Sequence, residues 1–126
     1  MKPTVYVWSD LVCPYCYVGA KAFRDACEEL ELDIPLEILS YELHPKLEKT
    51  DENYIDYMAQ KNEQTVDEVK EGIQEVIDFG KDNGVDFNYD EIKVSNTHDA
   101  HRLKEYAKLE DKELAFYDRC QKAYFE

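Results

Sequence analysis

The sequence predicts an α/β chain. A parallel βαβ unit occupies residues 1–45, and an all-helical part follows over residues 46–126. Three observations lead to this class. Two short apolar runs, Val5-Tyr6-Val7-Trp8 and Leu36-Glu37-Ile38-Leu39, have the length and the β-branched or aromatic content of strands. A segment with apolar residues at helical spacing lies between them, and strand, helix and strand in that order close as a right-handed parallel crossover. Beyond Asp51 the apolar pattern changes to that of helices.

The first strand is expected over residues 4–8. The helix over residues 14–30 carries Cys16, Ala20, Phe23, Cys27 and Leu30 on one face, and Pro14 falls in its first turn, where a missing N–H costs nothing. The second strand starts at Leu36 and ends near Tyr41. The linker over residues 43–51 holds the one plausible boundary. Thr65 and Glu68 form a capping-box pair ahead of a helix whose face is Val66, Val69, Ile73, Val76, Ile77 and Gly80, stopped by Asn83-Gly84. Ser95-Asn96-Thr97 can cap a helix bearing Ala100, Leu103 and Ala107. The last helix is expected from near Asp111, with Leu114, Tyr117, Cys120 and Tyr124, and with no stop signal, as if the chain were cut within it. Tyr54, Tyr57, Tyr106, Tyr117 and Tyr124 have the spacing of packing between helices; lining a groove for unfolded peptide is the second reading.

At 126 residues the chain suits one compact domain. Its 15 basic and 29 acidic residues give a net charge of −14, which repels phosphate backbones and anionic lipid, so neither nucleic acid nor membrane is an expected partner. No run approaches the roughly 18–20 apolar residues of a membrane span. Met1-Lys2-Pro3-Thr4 passes directly into the first strand without the pattern of a secretory leader, so the expected location is cytoplasmic. Cysteines there are mostly reduced, which makes a lone Cys-x-x-Cys catalytic before it is structural.

That pair is Cys13 and Cys16, at the strand-to-helix junction in Trp8-Ser9-Asp10-Leu11-Val12-Cys13-Pro14-Tyr15-Cys16-Tyr17-Val18-Gly19. The thiolate is the nucleophile of disulfide exchange. A cysteine at a helix mouth has its pKa lowered from ~8.5 to roughly 3.5–7.5 by unpaired N–H groups and the helix dipole. Cys13 is therefore expected to attack, and Cys16, more buried one turn in, to resolve. The pair is also half of a zinc site, but the remaining candidates, Cys27, Cys120, His44, His98 and His101, are scattered. Asp86, Asn88 and Asp90 imitate a calcium loop that fails at Glu91 and Thr97, and a turn is the better reading. Cys27 and Cys120 read as small core residues, with a second disulfide between them as the alternative. His98 and His101 read as solvated or capping residues, with a general base near the thiols as the alternative.

The stretch from Trp8 to Gly19 resembles the DsbA-like branch of the thioredoxin superfamily, in particular its cytoplasmic FrnE-like members. The resemblance continues in Tyr41-Glu42-Leu43-His44-Pro45, Asp86-Phe87-Asn88, Ser95-Asn96-Thr97-His98-Asp99-Ala100-His101-Arg102-Leu103 and Ala123-Tyr124-Phe125. It implies a thioredoxin-like βαβ unit with a helical insertion. Cys13 and Cys16 match the redox pair, and Pro14 and Tyr15 the dipeptide that tunes its potential. It also implies a further part, bearing a cis-proline loop, two strands and a helix, that this chain does not contain. The expected function is thiol–disulfide exchange on protein or small thiols and disulfides, with no cofactor and no metal. A glutathione-dependent isomerase or transferase of the kappa-class type and a non-catalytic binding module are the alternatives. Without the further part, the first strand is expected to expose an edge that pairs with another copy of the chain.

Overall fold

β1 (Val5–Ser9) and β2 (Leu36–Ser40) pair in parallel with Val7 opposite Ile38, and α1 (Pro14–Glu29) crosses between them. The computed structural model describes residues 3–48 and 50–126; Met1 and Lys2 of the N-terminal stretch and Lys49 of the linker lie outside them. α2 (Tyr54–Lys61), α3 (Val66–Asp82), α4 (His98–Leu109) and α5 (Glu113–Phe125) complete the chain. The expected class is the observed one, and β1 starts and ends one residue later than expected.

α1 is buried on two sides. Ala20 packs with Leu11, Leu36, Ile38 and Tyr117 in a cluster beside the sheet, joined by Phe23 and Cys120. Val18, off the expected stripe, is 1% exposed in a second cluster with Ile55, Val69, Ile73, Phe87 and Phe125, with Tyr17 against it. Leu30, expected on the buried face, is 66% exposed because it is the C-cap residue, where the chain turns away.

That turn recurs. Leu32 N–H donates to Cys27 O and Glu31 N–H to Glu28 O, the paired bonds of a Schellman motif, with Glu31 left-handed at φ 55. α3 ends the same way at Gly84 (φ 78), as its Asn83-Gly84 pair predicts, and α4 at Asp111 (φ 56). The left-handed Asp111 explains why α5 starts at Glu113 rather than near Asp111. Thr65 caps α3 as expected, its side chain accepting from Glu68 N–H at 3.1 Å, a contact worth about 1 kcal/mol. Gly80 sits where a Cβ would lie 2.6 Å from the Phe87 ring and 2.9 Å from Val85 O, so only glycine fits.

α4 departs furthest from its expected face. Leu103 is 57% exposed, whereas His101 and Lys104 are buried. Lys104 Nζ donates to Ile38 O at 2.7 Å and reaches Glu113 at 3.4 Å. Val5 N–H bonds Pro35 O and Tyr41 N–H bonds Ser9 O, so by strand alternation the main chain of Ile38 points out of the ladder. Lys104 thus plugs the outer edge of β2, while the outer edge of β1 carries no partner strand among the described residues. α5 ties the two clusters together: Tyr117 lies in one and Phe125 in the other, and Asp118 receives both terminal nitrogens of Arg24 at 2.6 and 2.7 Å.

Candidate active site

The turn from β1 into α1 places both cysteines. Cys13 is the N-cap of α1, with extended backbone angles (φ −96, ψ 112) and Pro14 behind it at the first helical position. Its Sγ accepts the Cys16 N–H at 3.3 Å, so the sulfur occupies the place of a capping oxygen and meets the positive end of the helix. Both cysteines are half-buried. They line different cavities. Cys13 opens on a cavity of about 610 Å³ toward α2, and Cys16 on the sheet side near Val5, Val7 and Phe23. Tyr15 is exposed and leans on Phe79 with ring centroids 5.3 Å apart.

The two sulfurs share a proton. The Cys13 side chain lowers Cys16 to about 6 through a hydrogen bond; burial opposes this, and the Ser9 hydroxyl and Asp10 main chain assist. Cys13 is pushed up, first by the same bond and then by burial, against the Cys16 and Tyr15 N–H groups. The first proton therefore leaves the pair below the ordinary thiol range, and the second is held above it. The lowering expected at Cys13 alone is instead a property of the pair, with Cys16 taking the larger share. In the reduced protein the alkylation rate is expected to rise as pH rises through about 6. Iodoacetamide kinetics from pH 4 to 10 with peptide mapping check this. A single step near ~8.5 would mean two independent, unperturbed thiols.

Behind the pair lies a buried polar assembly. Asp10, 2% exposed, accepts Leu11 N–H (2.7 Å) and His101 Nε2 (3.0 Å) on Oδ1, and Leu43 N–H (2.8 Å) on Oδ2. Burial alone would raise its carboxyl, but the bonds from His101, Leu43 and Thr97 outweigh burial and hold it below the usual range. With Asp10 ionised, His101 Nε2 donates to it, and Nδ1 is buried with no partner among the described residues. His101 is 5% exposed, which corrects the reading of it as solvated; His98 is exposed, as expected, near Glu42. Ser9 Oγ and Tyr117 Oη lie 2.7 Å apart, and Tyr117 also reaches Cys16 O at 3.5 Å. Burial pushes the Tyr117 phenol up to about 12, so it stays a neutral hydroxyl.

Of the residues behind the pair, Thr97 was read only as a cap, and His101 and Tyr117 were given a place at the site only as second readings. Their signal is small: polar or amphipathic residues at helical spacing where apolar ones are expected. Of the five tyrosines, Tyr54, Tyr57 and Tyr124 line the cavity beside Cys13, Tyr117 is core, and Tyr106 is 64% exposed. Cys27 and Cys120 are half-buried rather than fully enclosed, and all four cysteines are free thiols. Among the described residues no three His, Cys, Asp or Glu side chains gather as metal ligands, and the scattered zinc candidates do not converge on Cys13 and Cys16. No helix of the described residues is long and apolar enough to cross a membrane.

A parallel βαβ unit with Cys-x-x-Cys capping its helix, packed on a helical part, defines a thioredoxin-type domain. The DsbA-like thioredoxin domain family matches residues 4–126, and the chain belongs to that family. Among solved structures it is similar to a probable DsbA oxidoreductase from Streptomyces coelicolor, with 25% identity and a TM-score of 0.84. The match covers 97% of this chain and 53% of that one, so the chain spans about half the length of that structure. No curated protein matches the sequence.

Proposed function

We propose that the chain is a thiol–disulfide oxidoreductase domain acting on protein thiols and disulfides through Cys13 and Cys16. The observation that carries this reading is the Cys13 sulfur capping α1 within hydrogen-bond reach of the Cys16 N–H, at the mouth of an apolar cavity. Cys13 is the attacking thiol because it lines that cavity, whereas Cys16 does not.

In the reducing direction the Cys13 thiolate attacks one sulfur of a substrate disulfide. The S–S bond breaks, the other substrate sulfur leaves as a thiolate and is protonated, and a mixed disulfide with Cys13 remains. Cys16, deprotonated, then attacks Cys13 Sγ and releases the second substrate thiol. Two electrons have passed to the substrate, and Cys13–Cys16 is a disulfide. The oxidising direction reverses each step. A low first pKa favours the dithiol and makes the disulfide the stronger oxidant. Pro14 and Tyr15 tune that balance from the helix's first turn.

The same reading places the chain in the FrnE-like cytoplasmic subgroup, as a portion of a longer thioredoxin-fold protein. Its boundaries are 1–45 for the βαβ unit and 46–126 for the helical insertion, and the open outer edge of β1 is its site of self-association. The direct test is insulin reduction by the purified chain, with a two-hydrogen mass difference between reduced and oxidised protein mapped to the peptide holding Cys13 and Cys16. Unchanged reduction by Cys13→Ser would overturn the reading.

A further inference from the structure

The cavity beside Cys13 has a charge character unlike the rest of the chain. Acidic residues outnumber basic ones by 29 to 15, yet among the described residues no Asp or Glu lines the cavity, while Lys46 and Lys61 do. The remaining wall is largely apolar, with Leu47, Tyr54, Met58 and Val94 facing the opening. Lys61 ends α2 with Nζ 5.8 Å from the Tyr57 ring centroid, a cation–π position that holds the ammonium at the cavity rim. Among the described residues neither lysine is engaged in an ion pair.

We propose that Lys46 and Lys61 make this cavity select protein segments whose cysteine is flanked by an apolar residue and a carboxylate side chain. The proposal rests on Cys13 being the attacking thiol. Against a net charge of −14 an acidic segment is drawn to cationic patches of the surface, and a patch beside Cys13 fixes register as well as attraction. At about 610 Å³ the cavity has room for several side chains of an extended segment. Its apolar walls match such a segment better than a small, doubly charged thiol, which would leave Leu47, Tyr54 and Met58 uncovered. Met58 adds a deformable surface that accepts different apolar neighbours of the cysteine.

The test uses fluorescently labelled peptides that carry Phe and Leu beside a Ser in place of the cysteine, flanked by Glu, Gln or Lys. Anisotropy is read at low and at ~1 M salt. Alongside, the wild-type protein is assayed for exchange with the neutral hydroxyethyl disulfide. The Glu peptide is expected to bind about fivefold tighter than the Lys peptide at low salt, with the gap closing at high salt. The Lys46→Glu, Lys61→Glu double variant is expected to invert the order of the peptides. Equal binding of all three peptides, with exchange intact, would overturn the carboxylate selection and leave the redox reading standing. Displacement of the Glu peptide by equimolar oxidised glutathione would reassign the cavity to a small acidic disulfide. No exchange with the neutral disulfide would remove the redox reading on which the selection depends.

Discussion

Cys13→Ser is expected to lower the rate of insulin reduction by at least about three orders of magnitude, since removing a catalytic nucleophile can cost up to ~10⁶. Cys16→Ser is expected to fail differently. Cys13 still attacks, but no second thiol lies ready to resolve the mixed disulfide, so a covalent adduct of protein and substrate accumulates. Mass spectrometry under non-reducing conditions separates the two outcomes. The geometry behind the expectation is that Cys13 lines the large cavity, whereas Cys16 lines the smaller one beside Val5, Val7 and Phe23. Once Cys13 is bonded to substrate it carries no proton, and Cys16 resolves the mixed disulfide as its thiolate. Adducts accumulating on Cys13→Ser instead would exchange the two roles.

The largest effect on stability is expected at Phe125. Its side chain is 1% exposed and meets four rings: Tyr124 at 4.8 Å, Phe87 at 5.0 Å, Tyr17 at 5.7 Å and Tyr89 at 6.3 Å between centroids. Its carbonyl also accepts the Asn88 N–H at 2.7 Å. Phe125→Ala removes a ring that no neighbour can replace and is expected to cost about 3–5 kcal/mol. Urea unfolding followed by circular dichroism measures it. Leu109→Ala is the contrasting case, 79% exposed, and is expected to change stability by less than about 0.5 kcal/mol.

Phe125 also shows which parts of the fold the sequence carries openly. The strands, α1 and α3 announce themselves by period, by Pro14 and by the Thr65–Glu68 pair, because those signals are local. The segment over residues 85–94 does not. Val85, Phe87, Tyr89, Ile92 and Val94 are all buried, the first three at alternate positions, yet the segment forms no named strand. Its main chain is met by Glu52, Tyr54 and Phe125, partners remote in sequence. Helix ends were hidden for a related reason. Glu31, Glu63 and Asp111 take the left-handed position where glycine would have been a readable sign.

At the site, the Cys-x-x-Cys pair was legible because its chemistry lies within four consecutive residues. Its surroundings were not, because they are assembled from distant elements. Asp10 and His101 are 91 residues apart and meet at 3.0 Å, and Ser9 and Tyr117 are 108 apart. A histidine on a polar first turn looks solvated until the carboxylate it serves is known. Lys104 is the same lesson in the core: a lysine on a short helix reads as surface, and only the unpaired outer edge of β2 explains its burial.

The open edge of β1 has a spectroscopic consequence. Trp8, the only tryptophan in the chain, lies on this strand and is 66% exposed. Its indole faces water while the edge is bare, so its emission is red-shifted and readily quenched by iodide or acrylamide. A strand laid against β1, from whatever source, sets a cross-strand neighbour beside that ring and dries it. Intrinsic fluorescence therefore reads the occupancy of this edge directly, without a label and without a second tryptophan to confuse the signal.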